Sequence, residues 1–154
     1  RNLRELSMRT RFSTGSPLST FQQLVLGVCS LCLLIGFGFA LSLTPDERGF
    51  GTHQQLGFPP CTFRLLFGIV CPSCGGTTCF AHFVRGQWWS AMRANPAIFV
   101  LALWCAALIP WSWISIVRKR AVGVDDPARM VAWSLILLSI LAILQWGLRL
   151  MLTP

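Results

Sequence analysis

Residues 21–43, 97–117 and 130–148 each run for close to 20 residues or more without a charged side chain. An α-helix needs ~20 predominantly apolar residues to cross the hydrocarbon core of a bilayer. Inside that core every backbone N–H and C=O must be paired within the segment or the protein, so runs of this kind are read as membrane-crossing helices. Composition points the same way. Hydrophobic residues make up 54% of the chain and charged residues 12%, about half the ~25% charged share of an ordinary globular protein. The expected architecture is an all-α membrane protein with three transmembrane helices.

Local signals set the ends of these runs. Asn95 is a good N-cap and Pro96 suits the first helical position, so the second helix starts there; Pro110 is expected to kink its far end. Asp125-Asp126-Pro127 supplies the turn before the third helix, which extends to about residue 150 with Arg149 snorkelling toward the headgroups. The first run exceeds the about 7–15 residues of a signal-peptide core, so it reads as a retained span rather than a cleaved leader.

The net charge of +8 would raise nucleic-acid binding in a soluble protein. Here the cations are placed as a membrane topology requires, and nucleic acid is excluded as a partner. Arg1, Arg4, Arg9 and Arg11 precede the first span, while Arg118, Lys119, Arg120 and Arg129 surround the connection between the last two, so eight of thirteen cations sit in two short stretches. Both stretches fall on one side of a three-span chain, which the positive-inside rule assigns to the cytoplasm. Tryptophan agrees, because its ring prefers the interface: Trp111, Trp113 and Trp133 cluster at that face and Trp88, Trp89 and Trp146 at the opposite one. The resulting scheme is a cytoplasmic basic tail (1–20), a first span (21–43), an extracytoplasmic segment (44–96), a second span (97–117), a cytoplasmic loop (118–129) and a third span (130–150).

Unusual chemistry is concentrated between the first two spans. Cys61 precedes Cys71 by ten residues, Cys71-Pro72-Ser73-Cys74 forms a C-x-x-C, and four of the seven cysteines lie within residues 61–79. Pro72 reads as the first residue of a short helix running to about Arg85 with Cys71 as N-cap, where unpaired N–H groups would favour a thiolate. At ~100° per residue, Cys71, Cys74, Thr78, His82 and Arg85 share one arc, while Phe80, Phe83 and Val84 share another. Gly75 and Gly76 permit close backbone contact. Trp88, Trp89 and the flanking arginines suit an interfacial helix, so the segment is expected to form an interfacial or re-entrant helical hairpin tucked against the spans.

These residues resemble the bacterial membrane-protein family known as domain of unknown function 2752. The likeness rests on Cys61, Cys71-Pro72-Ser73-Cys74-Gly75-Gly76-Thr77, Phe80, Arg85-Gly86, Trp88, Ala91, Arg93 and Asn95-Pro96, and extends over roughly residues 59–120. Thr78 departs from the pattern, where Arg is expected. The resemblance implies a bacterial inner-membrane protein and brings no established activity.

Two classes of function fit this pattern. In one, small cysteines and glycines let the hairpin pack closely, and the protein is a structural or accessory subunit of a membrane complex or a homo-oligomer. In the other, Cys61, Cys71 and Cys74 carry thiol redox or metal chemistry, with Cys79, His82 or His53 completing the set; zinc, a disulfide or no cofactor all stay open. Cys29 and Cys32, a second C-x-x-C inside the first span, and Cys105 read as packing positions. Arg64 reads either as a ligand for a headgroup phosphate or as a snorkelling side chain.

Overall fold

A computed structural model describes residues 15–152. The basic tail with Arg1, Arg4, Arg9 and Arg11 lies outside the described residues. Six α-helices are present, α1 (Thr20–Ser42), α2 (Thr62–Phe67), α3 (Gly76–Phe83), α4 (Trp88–Ala94), α5 (Pro96–Val117) and α6 (Pro127–Leu152), with a 3-10 turn at Thr52–Leu56 and no named strand among the described residues. Three of them, α1, α5 and α6, are long and apolar enough to cross a membrane. At 1.5 Å per residue the 22 residues of α5 extend ~33 Å, enough for a ~30 Å core. The chain is a multi-pass membrane protein.

Each long helix starts where its sequence supplies a cap. Ser19 and Gln22 form a reciprocal capping box: the Gln22 N–H donates to Ser19 Oγ at 3.2 Å and the Ser19 N–H to Gln22 Oε1 at 2.8 Å. Asn95 Oδ1 accepts the Ile98 N–H at 3.1 Å, and Asp126 Oδ1 accepts the Arg129 N–H at 3.1 Å. In both cases the next residue is proline, whose missing N–H would be an orphan at that position anyway. α5 continues unbroken through Pro110.

The chain divides into two compact units. One comprises the described residues up to Leu34 with Cys105–Leu135. In it the segment before α1 pairs with the basic connection, the Leu18 N–H donating to Lys119 O at 3.1 Å and the Ala121 N–H to Ser16 O at 3.0 Å. Trp111 Nε1 donates to Val122 O at 3.0 Å, while Trp113 and Trp133 are exposed.

The other unit comprises Ile35–Trp104 with the described residues from Ile136. Its core is aromatic and small. Phe37 of α1 lies 5.8 Å from Phe80 and 5.9 Å from Phe83 of α3, and Phe83 meets Phe99 of α5 edge-on at 5.9 Å. Cys79, Ala91 and Ala94 fill the space beneath with almost no exposure. Arg85, just past α3, donates to Ala81 O at 2.7 Å, Ala40 O at 3.3 Å and Leu41 O at 2.7 Å. Two of those acceptors are last-turn carbonyls of α1, which have no partner within their own helix. Arg85→Lys keeps the charge and loses the planar fork, so a destabilisation of about 1–2 kcal/mol is expected in detergent thermal melts, against no change for Arg118→Lys.

Candidate functional site

The C-x-x-C does not open a helix. Residues 72–75 form a turn in which the Cys74 N–H donates to Cys71 O at 3.1 Å and the Gly76 N–H to Ser73 O at 2.9 Å. Helix α3 begins only at Gly76, after Gly75 with φ +86°. A left-handed residue interrupts an α-helix, so Cys71 is not an N-cap and the arc from Cys71 to Arg85 is broken at Gly75. Beyond the break, Thr78 is fully buried and shares a 2.7 Å hydrogen bond with Thr52. His82 Nδ1 pairs with Gln87 Oε1 at 2.6 Å, and Thr77 is exposed.

What fixes the turn is Asn95. Its amide nitrogen donates to the carbonyls of Pro72 and Cys74, both at 3.1 Å, while its amide oxygen caps α5. Its backbone carbonyl accepts from Cys79 Sγ at 3.6 Å and from the Phe99 N–H at 2.9 Å. The residue is completely buried and pairs with polar groups on three segments, acceptors in the turn and donors on α3 and α5. Gly75 sits against this latch: a Cβ there would lie 2.7 Å from both Ala94 O and Gly49 O. Gly76 is different, since its Cβ would meet only Ile98 side-chain carbons at ordinary distance.

Helix α6 supplies two further donors. Trp146 Nε1 donates to Val70 O at 2.6 Å, and Arg149 donates to Cys74 O at 3.2 Å and to Ala94 O at 2.8 Å. Neither role was expected from the sequence, in which Trp146 reads as an interface anchor and Arg149 as a snorkelling cation. The only signal available was a donor near the end of a span, where irregular backbone nearby needs partners.

The sulfurs fall into three groups. Cys61, Cys71 and Cys74 are partly exposed and unbridged. The Cys61 thiol is drawn below its ordinary range, first by the Arg64 N–H at the start of α2 and then by the Cys71 side chain beside it. Burial, and next the neighbouring Cys71, push Cys74 upward. Cys79 is enclosed in the core, where burial pushes its thiol up to about 12, so it is an inert packing residue with one weak hydrogen bond. Cys29, Cys32 and Cys105 lie on the spans α1 and α5. His53 is in the 3-10 turn. Among the described residues no three His, Cys, Asp or Glu side chains are grouped so as to hold a metal ion; Cys79 and His82 do not complete a ligand set with Cys61, Cys71 and Cys74.

Three apolar spans, with a cysteine turn held by side-chain donors from the start of α5 and from α6, define a multi-pass membrane protein. Residues 61–109 match the family model described as Protein of unknown function (DUF2752), so over this stretch the chain is similar to that family. The match contains both the cysteine turn and Asn95. No curated protein and no solved structure matches the chain.

Proposed function

We propose that this membrane protein works through a dithiol pair, Cys61 and Cys71, that exchanges with the disulfide of a partner protein. One observation carries it: packing and hydrogen bonding account for Pro72, Gly75, Asn95 and Pro96, whereas the three partly exposed sulfurs beside them tie nothing to the spans, Cys71 Sγ meeting only Ser73 Oγ within the turn at 3.5 Å and the Cys61 thiol beside it. Cys61 and Cys71 adjoin, and the lowered Cys61 thiol is the better nucleophile at neutral pH, because the thiolate is the attacking species.

The exchange takes two steps. The Cys61 thiolate attacks one sulfur of the partner's disulfide, forming a mixed disulfide and releasing one partner thiolate. Cys71 gives its proton to water as its sulfur attacks Cys61, closing the Cys61–Cys71 disulfide and releasing the second partner thiolate. Two thiols of this chain are oxidised and one partner disulfide is reduced to two thiols. The distribution of cations favours an extracytoplasmic position for residues 44–96 in a bacterial inner membrane, with the N-terminus cytoplasmic, where disulfide partners are available.

Thiol counting tests this. Incubation of the full chain in detergent with oxidised glutathione should remove two alkylatable thiols, restored by reductant, with the bond mapped to Cys61 and Cys71 by mass spectrometry; Cys61→Ser or Cys71→Ser should each abolish it. Alkylation should reach Cys61 at lower pH than Cys74, and Cys79 last, since its thiolate forms only toward pH 12. A bond mapped elsewhere, or undiminished thiol number after oxidation, removes the proposal.

A second observation favours an accessory-subunit role. Helix α2 buries none of its residues and leaves Leu65 and Leu66 67% and 69% exposed, although its six residues are too few to span. Such a face fits a neighbouring subunit or a second copy of the chain, lying at or dipping into the membrane surface with Trp88 and Trp89. Native mass measurement after mild detergent extraction would detect it, and a strictly monomeric chain with no co-purifying subunit would refute it.

A further inference from the structure

Five of the thirteen cations lie outside the two basic stretches: Arg48, Arg64, Arg85, Arg93 and Arg149. Arg85 is engaged by the carbonyls at the end of α1. The other four, from four separate parts of the chain, all line a single cavity of about 210 Å³ whose wall also includes Cys74 and Phe50. The cavity lies wholly within one compact unit. Its lining contains no carboxylate; the unit's only acidic residues are Asp46 and Glu47.

Gathering four guanidinium groups is unfavourable unless something holds them or neutralises them. Here the fold holds three of them. Arg149 is drawn inward by the Cys74 and Ala94 carbonyls. Arg64 lies 3.8 Å from the Phe50 ring centroid and Arg48 lies 5.4 Å from the same centroid, so one aromatic ring stabilises two cations. Arg48 is also ion-paired with Asp46 at 2.7 Å. Arg93 and Arg64 are exposed.

We propose that this cavity is an oxyanion site that takes a phosphate group. Guanidinium groups match phosphate oxygens through paired, charge-assisted hydrogen bonds. The volume decides the size of the guest, since it lies below the ~300–1,000 Å³ of pockets that enclose drug-sized molecules; it suits a phosphate or headgroup and not an entire cofactor. An anionic lipid headgroup and a free phosphate share this chemistry, and the site's place beside the end of a span makes both accessible. Asp46 acts as an internal competitor, occupying Arg48 that the phosphate would otherwise engage.

The test is calorimetric titration of the full chain in detergent with inorganic phosphate, and in parallel with dihexanoyl phosphatidic acid below its micellar concentration. One phosphate should bind per chain. Arg64→Gln with Arg93→Gln should weaken it by about tenfold or more, and Asp46→Asn should tighten it severalfold. These opposite signs separate binding from unfolding, because a merely damaged variant does not gain affinity. Marked preference for the short-chain phosphatidic acid identifies the guest as a lipid headgroup, and equal binding identifies a free phosphate. Equal affinity in wild type and the double arginine variant would overturn the site, as would absence of phosphate binding in both wild type and the Asp46→Asn variant.

Discussion

Asn95→Asp should destabilise the protein by about 3 kcal/mol or more, even though Asp caps a helix as well as Asn does. The substitution is nearly isosteric and leaves an oxygen for the Ile98 N–H, so α5 can still start at Pro96. What it removes is the amide nitrogen that donates to Pro72 O and Cys74 O at 3.1 Å. Pro72 O loses its donor and Cys74 O keeps only that of Arg149 at 3.2 Å, a lost donor costing about 1–3 kcal/mol when the acceptor is buried, and a carboxylate oxygen faces both carbonyls from a residue with no exposure. Against a total stability of ~5–15 kcal/mol this is a large share.

The sign of the pH dependence follows. A carboxyl group facing two carbonyls donates one hydrogen bond when protonated and repels both when ionised, so its folded pKa would lie above the unfolded value. Its contribution would be complete below the unfolded pKa and lost as pH rises through the folded one. The defect of N95D should therefore shrink in acid, whereas that of Asn95→Ala should not. Thermal unfolding followed by tryptophan fluorescence reads both, and faster alkylation of Cys71 and Cys74 should accompany the loss of the latch. An N95D protein as stable as wild type at neutral pH would show that the turn is held by something else.

The contrast between what was legible and what was not follows from the range of the forces involved. The spans were legible because burial of unpaired backbone in hydrocarbon leaves a helix as the solution, and the requirement is met residue by residue within each run. The start at Asn95-Pro96 was legible for the same reason, since the capping oxygen and the N–H it accepts lie three residues apart; Asp126-Pro127 carries the same signal, but it reads as a turn before a helix starting at Met130, whereas the helix starts at Pro127. Ser19 and Gln22 carried an equally local signal, a capping box readable from the sequence. The cysteine turn differs. Pro72 satisfies the helix-start rule for proline as well as Pro96 does, and the local differences, Cys71 in place of a capping Asn and Gly75-Gly76 in the first turn, permit a left-handed break without requiring one.

The distinction is tertiary. Arg149 and Trp146 find their carbonyl partners 55 to 76 residues back along the chain, and Asn95 finds its own 21 and 23 residues back. A sequence can show that a donor sits near the end of a span, but not which irregular carbonyl it will meet. The same holds for the arginine cavity, whose members are dispersed from Arg48 to Arg149. Arg64 alone suggested phosphate; four arginines together are visible only after folding.

Gly75 and Gly76 allow the sharpest separation, because adjacent glycines are expected to behave oppositely. Gly76→Ala places a methyl 3.8 Å from Ile98 at the first position of α3, where Ala is favoured over Gly by up to ~1 kcal/mol; it should be neutral or mildly stabilising. Gly75→Ala forces a non-glycine residue to φ +86°, at about 1–2 kcal/mol, and drives a methyl to 2.7 Å from the carbonyl oxygens of Ala94 and Gly49. Both obstacles are backbone, so neither can swing aside as a side chain would. The turn must move away from the end of α4 and from the loop bearing Gly49, which also lines the arginine cavity. Thermal melts should show G75A falling well below wild type while G76A holds. In the same preparation G75A should lose both the Cys61–Cys71 disulfide and phosphate affinity, because the turn that carries Cys71 and Cys74 is the shared wall of the two sites. Indistinguishable melting of the two variants would mean that the close approach at Gly75 does not exist, and the latch, the thiol pair and the cavity would have to be rebuilt on another geometry.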